Sequence, residues 1–132
     1  MTGESILDIV KQFRQLIGRS YIPPKWAFGY QQSRWGYMNE DDIREVVKGH
    51  REKKIPLESI YMDIDYMERF KDFTVNQERF PDFPEFVKEM KAQHIHLVPI
   101  IDAGVKVEEG YDVYEKALKR GISVRKKMGN TL

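Results

Sequence analysis

Apolar side chains recur along the chain at two different spacings, and each spacing predicts a type of secondary structure. Over residues 5–19 the apolar positions lie three or four residues apart, which predicts an amphipathic helix that Gly18 ends. Its apolar stripe consists of Ile6, Ile9, Val10, Phe13, Leu16 and Ile17. Pro23 and Pro24 then interrupt regular structure, because proline lacks the backbone N–H that helices and sheets use.

Three further helices are predicted from the signals at their ends. Asn39 is typical of a helix N-cap, and the acidic residues 40–42 that follow suit the positive end of the helix dipole. Asp82 and Glu85 form a capping pair at the start of another helix. The last helix is predicted over residues 111–120, with Gly121 as its end.

Apolar runs at residues 26–32, 60–65 and 96–101 predict strands, and a further short strand is predicted at 122–124. Residues 70–80 have no helical period and are predicted to form a loop or a hairpin over the end of the sheet. Strands that alternate with helices in this way are typical of βαβ units, whose strands are parallel and covered on both faces. The predicted fold class is therefore α/β, with about three parallel strands, βαβ connections and an N-terminal helix.

Polar and aromatic residues follow the predicted strands at their carboxyl ends: Arg34, Trp35, Asp63, Asp65 and Asp102. Because the carboxyl ends of parallel strands meet at one edge of a sheet, these side chains are expected to gather there. On an extended strand Asp63 and Asp65 point to one face and Ile64 points to the other. Two interpretations stay open: the aspartates cap a turn or a helix, or they line a binding cleft.

Aromatic residues are dense at 26–37, where two tryptophans and three other aromatic side chains fall within twelve residues. Such rings cover the core at the end of a sheet in many proteins. Flat apolar ring faces also suit sugars and bases in ligand sites. Both interpretations stay open for this segment.

The composition argues against several classes of protein. Lysine plus arginine (22) nearly balances aspartate plus glutamate (21), which argues against a basic nucleic-acid-binding surface. Cysteine is absent, so disulfides and thiol chemistry are excluded. His94 and His96 are too few for a zinc site, and we predict neither a metal nor a cofactor.

No signal peptide or membrane-length apolar run is visible, which predicts a cytoplasmic protein that binds no membrane.

Five strings, taken together, resemble glycoside hydrolase family 31, the α-glucosidases and α-xylosidases. They are WAFGYQQSRWGY (26–37), IYMDIDYME (60–68), FKDFT (70–74), RFPDFP (79–84) and PIIDAG (99–104). The match is to the opening third of the family's catalytic barrel, and the likeness is strongest to gut bacterial α-glucosidases. It implies a partial (β/α)8 TIM barrel, with residues 1–22 as a connector helix and residues 23–132 as the first βα units.

The resemblance also implies roles for individual residues. Asp63 would accept hydrogen bonds from hydroxyls at the non-reducing end of a bound glucose. Ile64 and Ile101 would pack on that sugar in the −1 subsite, and Trp35 would lie near the substrate and influence linkage preference. Arg34, Asp65 and Asp102 would have supporting roles.

The 132 residues depart from the family pattern in one large respect. The family's nucleophile lies in a Trp-x-Asp-Met-Asn-Glu string on the next barrel strand, and its acid/base aspartate lies further on; neither segment is present. A retaining mechanism needs both carboxylates, and Asp63 and Asp102 are not expected to replace them.

We therefore predict that this fragment of an α-glucosidase is inactive alone and binds α-glucoside sugars weakly. It is expected to form a homo-oligomer or to pair with a complementing barrel chain. The alternatives are an assembly module of a split glycosidase or a small carbohydrate-binding domain.

Overall fold

Strands and helices alternate along the chain, as the apolar spacings predict. The structure is a computed structural model that describes residues 2–122. Within this range the order of elements is α1 (Ile6–Ile17), β1 (Gln31–Ser33), α2 (Glu40–Glu52), β2 (Ser59–Met62), α3 (Phe83–Ala92), β3 (His96–Pro99) and α4 (Asp112–Arg120). The short strand predicted at 122–124 extends beyond the described residues. No helix of residues 2–122 is long and apolar enough to cross a membrane.

The three strands form one parallel sheet in the order β1-β2-β3. Gln32 of β1 lies opposite Ile60 of β2, which in turn lies opposite Leu97 of β3. Each crossover between neighbouring strands contains one helix, α2 or α3, because parallel strands need a long connection. The predicted α/β fold with parallel strands is confirmed.

Local capping residues set the starts of the helices. The side-chain oxygens of Ser5, Asn39 and Asp82 each accept a hydrogen bond from a backbone N–H in the first turn, at 3.0–3.2 Å. These bonds satisfy N–H groups that have no partner within the helix. Gly121 ends α4 in the left-handed conformation (φ 64°), which glycine adopts without steric cost. The predicted helix signals at Asn39, Asp82 and Gly121 are confirmed.

The core lies between one face of the sheet and helices α2 and α3. Its fully buried side chains include Ile43, Val47, Ile60, Met62, Phe80, Phe86 and Met90. On the opposite face of β2, Tyr61 is exposed, whereas Ser59 is fully buried. The expectation of a sheet covered on both faces is therefore wrong at Tyr61, since α2 and α3 contribute to one face only.

Helix α1 keeps its apolar stripe exposed. None of its residues is buried, and Leu16 is 77% exposed. The helical spacing correctly predicts an amphipathic helix, but the described residues provide no surface that covers the stripe. An exposed apolar stripe of this length is unusual in a monomeric soluble protein.

All three predicted strands begin or end differently in the structure. Residues 26–28 belong to a 3₁₀ turn, Lys25–Phe28, in which the Trp26 ring stacks on His96 at a centroid distance of 4.0 Å. The second strand ends at Met62, because residues Ile64–Tyr66 form another 3₁₀ turn. The third ends at Pro99, although the Ile100 N–H still donates to the Met62 carbonyl at 3.0 Å. The predicted loop at 70–80 is confirmed.

Candidate functional site

The carboxyl ends of the three strands lie at the same edge of the sheet. Ser33, the last residue of β1, lies opposite Tyr61, and Met62, the last residue of β2, lies opposite Pro99 of β3. The segments that begin at Arg34, Asp63 and Ile100 therefore leave this edge next to one another. We call it the carboxyl edge. In α/β folds with parallel strands, ligand sites form at this edge.

Asp63 directly follows β2 at the carboxyl edge. Its backbone is extended, and its side chain is half-buried. The Oδ1 atom accepts a hydrogen bond from the Ile64 N–H at 2.7 Å and so caps the turn Ile64–Tyr66. Within residues 2–122 the Oδ2 atom receives no hydrogen bond, which leaves it available to a hydroxyl of a ligand. The capping interpretation is confirmed for Asp63, and it uses only one of the two carboxylate oxygens.

Asp65 points away from the Asp63 carboxylate into a structural ion pair. Its side chain is buried, and its Oδ1 atom lies 3.5 Å from Nη1 of Arg79. The same Arg79 nitrogen donates to the Asp65 carbonyl at 3.1 Å. The expectation that Asp63 and Asp65 share one face is wrong, because the chain turns after Met62 and the strand alternation stops there. Asp65 thus holds the following loop against the turn that carries Asp63.

A short turn after β1 displays Trp35 at the same edge. The indole is 69% exposed. Nε of Arg34 donates to the Trp35 carbonyl at 3.2 Å, and the Arg34 guanidinium lies 6.0 Å from the ring centroid of buried Tyr37. Gly36, which lies between Trp35 and Tyr37, has φ 105°, a conformation that a residue with a Cβ rarely adopts. Arg34 and Gly36 together fix the backbone from which Trp35 extends.

The segment after β3 contributes Ile101 and Asp102 to the edge. Ile101 is 61% exposed, and the Asp102 side chain is exposed as well. The Asp102 backbone N–H donates to Oδ1 of Asp72 at 2.8 Å. Two residues before Asp102, the Ile100 carbonyl accepts a hydrogen bond from the Tyr66 hydroxyl at 2.7 Å. Backbone contacts therefore hold this segment and leave its side chains free.

Sequence reasoning missed Asp72, Tyr66 and Tyr111, which hold this edge together. Asp72 is 3% exposed, and its carbonyl accepts a hydrogen bond from the Tyr111 hydroxyl at 2.7 Å. The string FKDFT contains Asp72, but its aromatic neighbours give no indication of a partner thirty residues away. Burial and the Asp72 carboxylate raise the pKa of both tyrosines above 10.

We expect the stability of the fold to fall at alkaline pH because of these tyrosines. The folded state favours the neutral phenol, so its contribution is complete below pH 10 and is lost as the pH rises through the raised pKa of Tyr66. Urea unfolding followed by circular dichroism at about pH 8 and about pH 11 measures the loss. The variant Tyr66→Phe is the control and is expected to lose less stability over this interval. An equal loss in both proteins would contradict the assignment.

His96 lies away from the carboxyl edge. His96 begins β3 and so lies at the amino end of the sheet, where Trp26 stacks on it. Residues 2–122 contain no group of three His, Asp or Glu side chains with a geometry that could hold a metal ion. The chemistry that these residues offer at the carboxyl edge is a carboxylate acceptor beside exposed apolar surfaces.

Comparison with known proteins identifies the family. A family model described as the glycosyl hydrolases family 31 TIM-barrel domain matches residues 20–132. "Alpha-glucosidase 2" from Bacillus thermoamyloliquefaciens is 40% identical over 117 residues, which cover 89% of this chain and 15% of that enzyme. The chain thus spans about one seventh of the length of this relative.

Solved structures match the fold closely. One match is a crystal structure of the ER glucosidase II heterodimeric complex, which consists of the catalytic subunit and the binding domain of the regulatory subunit. Its TM-score is 0.92 and its sequence identity is 28%, over 98% of this chain and 14% of that chain. A family 31 α-glucosidase from Bacteroides thetaiotaomicron matches with a TM-score of 0.75 and 34% identity, over 86% of this chain and 19% of that chain. The cellular compartment stays a prediction, since one of these structures is of an ER enzyme. The three parallel strands are a partial TIM barrel, and the chain belongs to glycoside hydrolase family 31.

Proposed function

We propose that this chain supplies the sugar-binding part of a family 31 α-glucosidase barrel. One observation carries the proposal: β2 ends directly before Asp63, whose Oδ2 atom has no hydrogen-bond partner among residues 2–122. A carboxylate oxygen at such a position accepts hydrogen bonds from sugar hydroxyls, and charge-assisted bonds of this kind are the strong ones.

The residues beside Asp63 supply apolar contact in this proposal. Ile64 and Ile101 offer aliphatic surface to the sugar ring, and the exposed indole of Trp35 is proposed to lie near the substrate and to influence linkage preference. Arg34, Asp65 and Asp102 act in support: Arg34 donates to the Trp35 carbonyl, Asp65 pairs with Arg79, and the Asp102 backbone N–H donates to Asp72. A half-built site of this kind is open to water, so binding is expected to be weak.

The hydrolytic step belongs to two aspartates that lie outside the 132 residues. Retaining hydrolysis needs a nucleophile and an acid/base carboxylate about 5–5.5 Å apart. Asp63 uses one oxygen to cap a turn, and Asp65 is paired with Arg79, which supports the proposal that neither replaces these two carboxylates. We therefore propose that the 132-residue chain is inactive when it is isolated.

We expect the 132-residue chain, expressed alone, to give no turnover of a chromogenic α-glucoside above the buffer rate. The measurement uses high protein concentration and a long incubation, with Asp63→Ala as the matched variant. Equal rates for both proteins and for buffer support the proposal. Turnover by the wild-type chain that disappears in Asp63→Ala would contradict it.

The isolated chain is also proposed to associate. Strands β1 and β3 are paired on one side only within residues 2–122, and unpaired edges together with the exposed stripe of α1 favour contact with another chain. In the complete enzyme the rest of the barrel would cover these surfaces, and residues 1–22 would act as the connector into it. A complementing barrel chain would do the same in a split glycosidase. A free carbohydrate-binding domain would need no such cover.

We expect light scattering to give a mass above 15.7 kDa for the isolated chain, as for a homo-oligomer. The double variant Ile6→Glu, Leu16→Glu places charges on the exposed stripe of α1 and is expected to lower that mass. A monomeric mass from micromolar to millimolar concentration would contradict the association.

A further inference from the structure

The loop after the Ile64–Tyr66 turn has an unfavourable backbone. Arg69, Phe70 and Phe73 have φ angles of 52°, 60° and 62°, although each carries a Cβ atom. Residues other than glycine adopt this left-handed region only where their surroundings hold them there. Three such residues within five positions show that tertiary contacts, and not local preference, determine the path of the loop.

One set of contacts holds the middle of the loop through Asp72. Its buried carboxylate accepts the Asp102 N–H at 2.8 Å, and its carbonyl accepts the Tyr111 hydroxyl at 2.7 Å. A hydrogen bond to an ionised acceptor is stronger than one between neutral groups. Asp72 thus binds the backbone of the segment that leaves β3.

A second set of contacts involves Glu108, further along the same segment. Its carboxylate pairs with Nζ of Lys71 and Nζ of Lys106, each at 3.2 Å, and with the Arg69 guanidinium. Lys106 also donates to the Arg69 carbonyl at 3.0 Å. The loop 69–73 and the segment 102–108 are therefore fixed to each other at two places.

We propose that Asp72 is a positioning residue for the sugar site. It fixes the backbone of Asp102 and, through it, the place of the adjacent Ile101 at the carboxyl edge. Asp72 touches no sugar itself, since its carboxylate is buried under the loop. This inference rests on the proposed function for the part that concerns the sugar.

Two substitutions at position 72 separate positioning from general stability. Asp72→Asn keeps a carbonyl oxygen at the position of Oδ1 and can still accept the Asp102 N–H, whereas Asp72→Ala cannot. Asp82→Ala is the matched control, because Oδ1 of Asp82 also accepts a backbone N–H, that of Glu85 at 3.2 Å, at the start of α3. It removes a bond of the same type from a residue outside the site.

The measurement is NMR on the labelled 132-residue chain, with amide hydrogen exchange and a maltose titration for each variant. In Asp72→Ala we expect the Asp102 amide to exchange at least about tenfold faster relative to the buried Ile60 amide. The maltose-dependent shift of the Ile101 amide is expected to disappear. Asp72→Asn and Asp82→Ala are expected to keep both properties of the wild type. If Asp72→Ala loses its fold, Tyr111→Phe replaces it and is expected to give a smaller change in the same direction.

Two results would overturn the proposal. In the first, the Asp102 amide of Asp72→Ala exchanges faster only by the same factor as the Ile60 amide. In the second, the Asp102 amide exchanges faster than the Ile60 amide, but the maltose-dependent shift of the Ile101 amide is unchanged. Failure of the proposed function looks different. In that case maltose shifts no amide of the wild-type chain, and the exchange of Asp102 alone decides whether Asp72 positions the segment.

Discussion

Replacing Phe80 by alanine is expected to remove about 3–5 kcal/mol from the free energy of unfolding. Phe80 is fully buried and packs against Phe83 and Phe86 at centroid distances of 6.2 and 6.1 Å. The loss combines the transfer of a phenyl ring to water with the cavity left between the loop and α3. Because domains are stable by only about 5–15 kcal/mol, this loss is a large fraction of the total stability.

Urea unfolding followed by circular dichroism measures this loss. Phe28→Ala is the matched control, because Phe28 is 73% exposed and its removal is expected to change stability by less than about 0.5 kcal/mol. Equal unfolding midpoints for the two variants would show that Phe80 does not lie in the core.

Asp63→Ala is expected to abolish saturable binding of α-glucosides. Each hydrogen bond from a sugar hydroxyl to the carboxylate contributes about 1.5–3 kcal/mol, so its loss weakens binding about 10- to 100-fold. From an affinity that is already weak, such a loss takes binding beyond measurement. The readout is the NMR shift of the Trp35 indole during a maltose titration.

The control for this substitution is again Asp82→Ala, which removes a capping aspartate outside the proposed site. It is expected to keep the wild-type titration curve. A titration curve for Asp63→Ala that matches the wild-type curve would show that the Asp63 carboxylate does not bind the sugar.

Local signals explain why the helices could be predicted. Ser5, Asn39 and Asp82 act through bonds to N–H groups three residues away, which the sequence shows directly. The amphipathic pattern of α1 is local as well, but whether its stripe is covered depends on other parts of the protein. Its burial could not be predicted for that reason.

Contacts distant along the chain explain the errors. Residues 26–28 have the composition of a strand, yet Trp26 stacks on His96 from a 3₁₀ turn. Asp63 could be located because a carboxylate at the end of an apolar strand is a local signal. Asp65 and Asp72 could not be interpreted, since their partners Arg79 and Asp102 lie far along the chain.

The most direct test of the sugar site is an NMR titration of the wild-type chain with maltose, in which its two tryptophans report on opposite edges of the sheet. Trp35 lies at the carboxyl edge, and Trp26 stacks on His96 at the amino end. We predict shifts of the Trp35 indole and of the Asp63, Ile64 and Ile101 amides, with half-saturation at about millimolar concentration or above, while Trp26 stays unchanged. Micromolar saturation, or shifts confined to the surroundings of Trp26, would contradict the account.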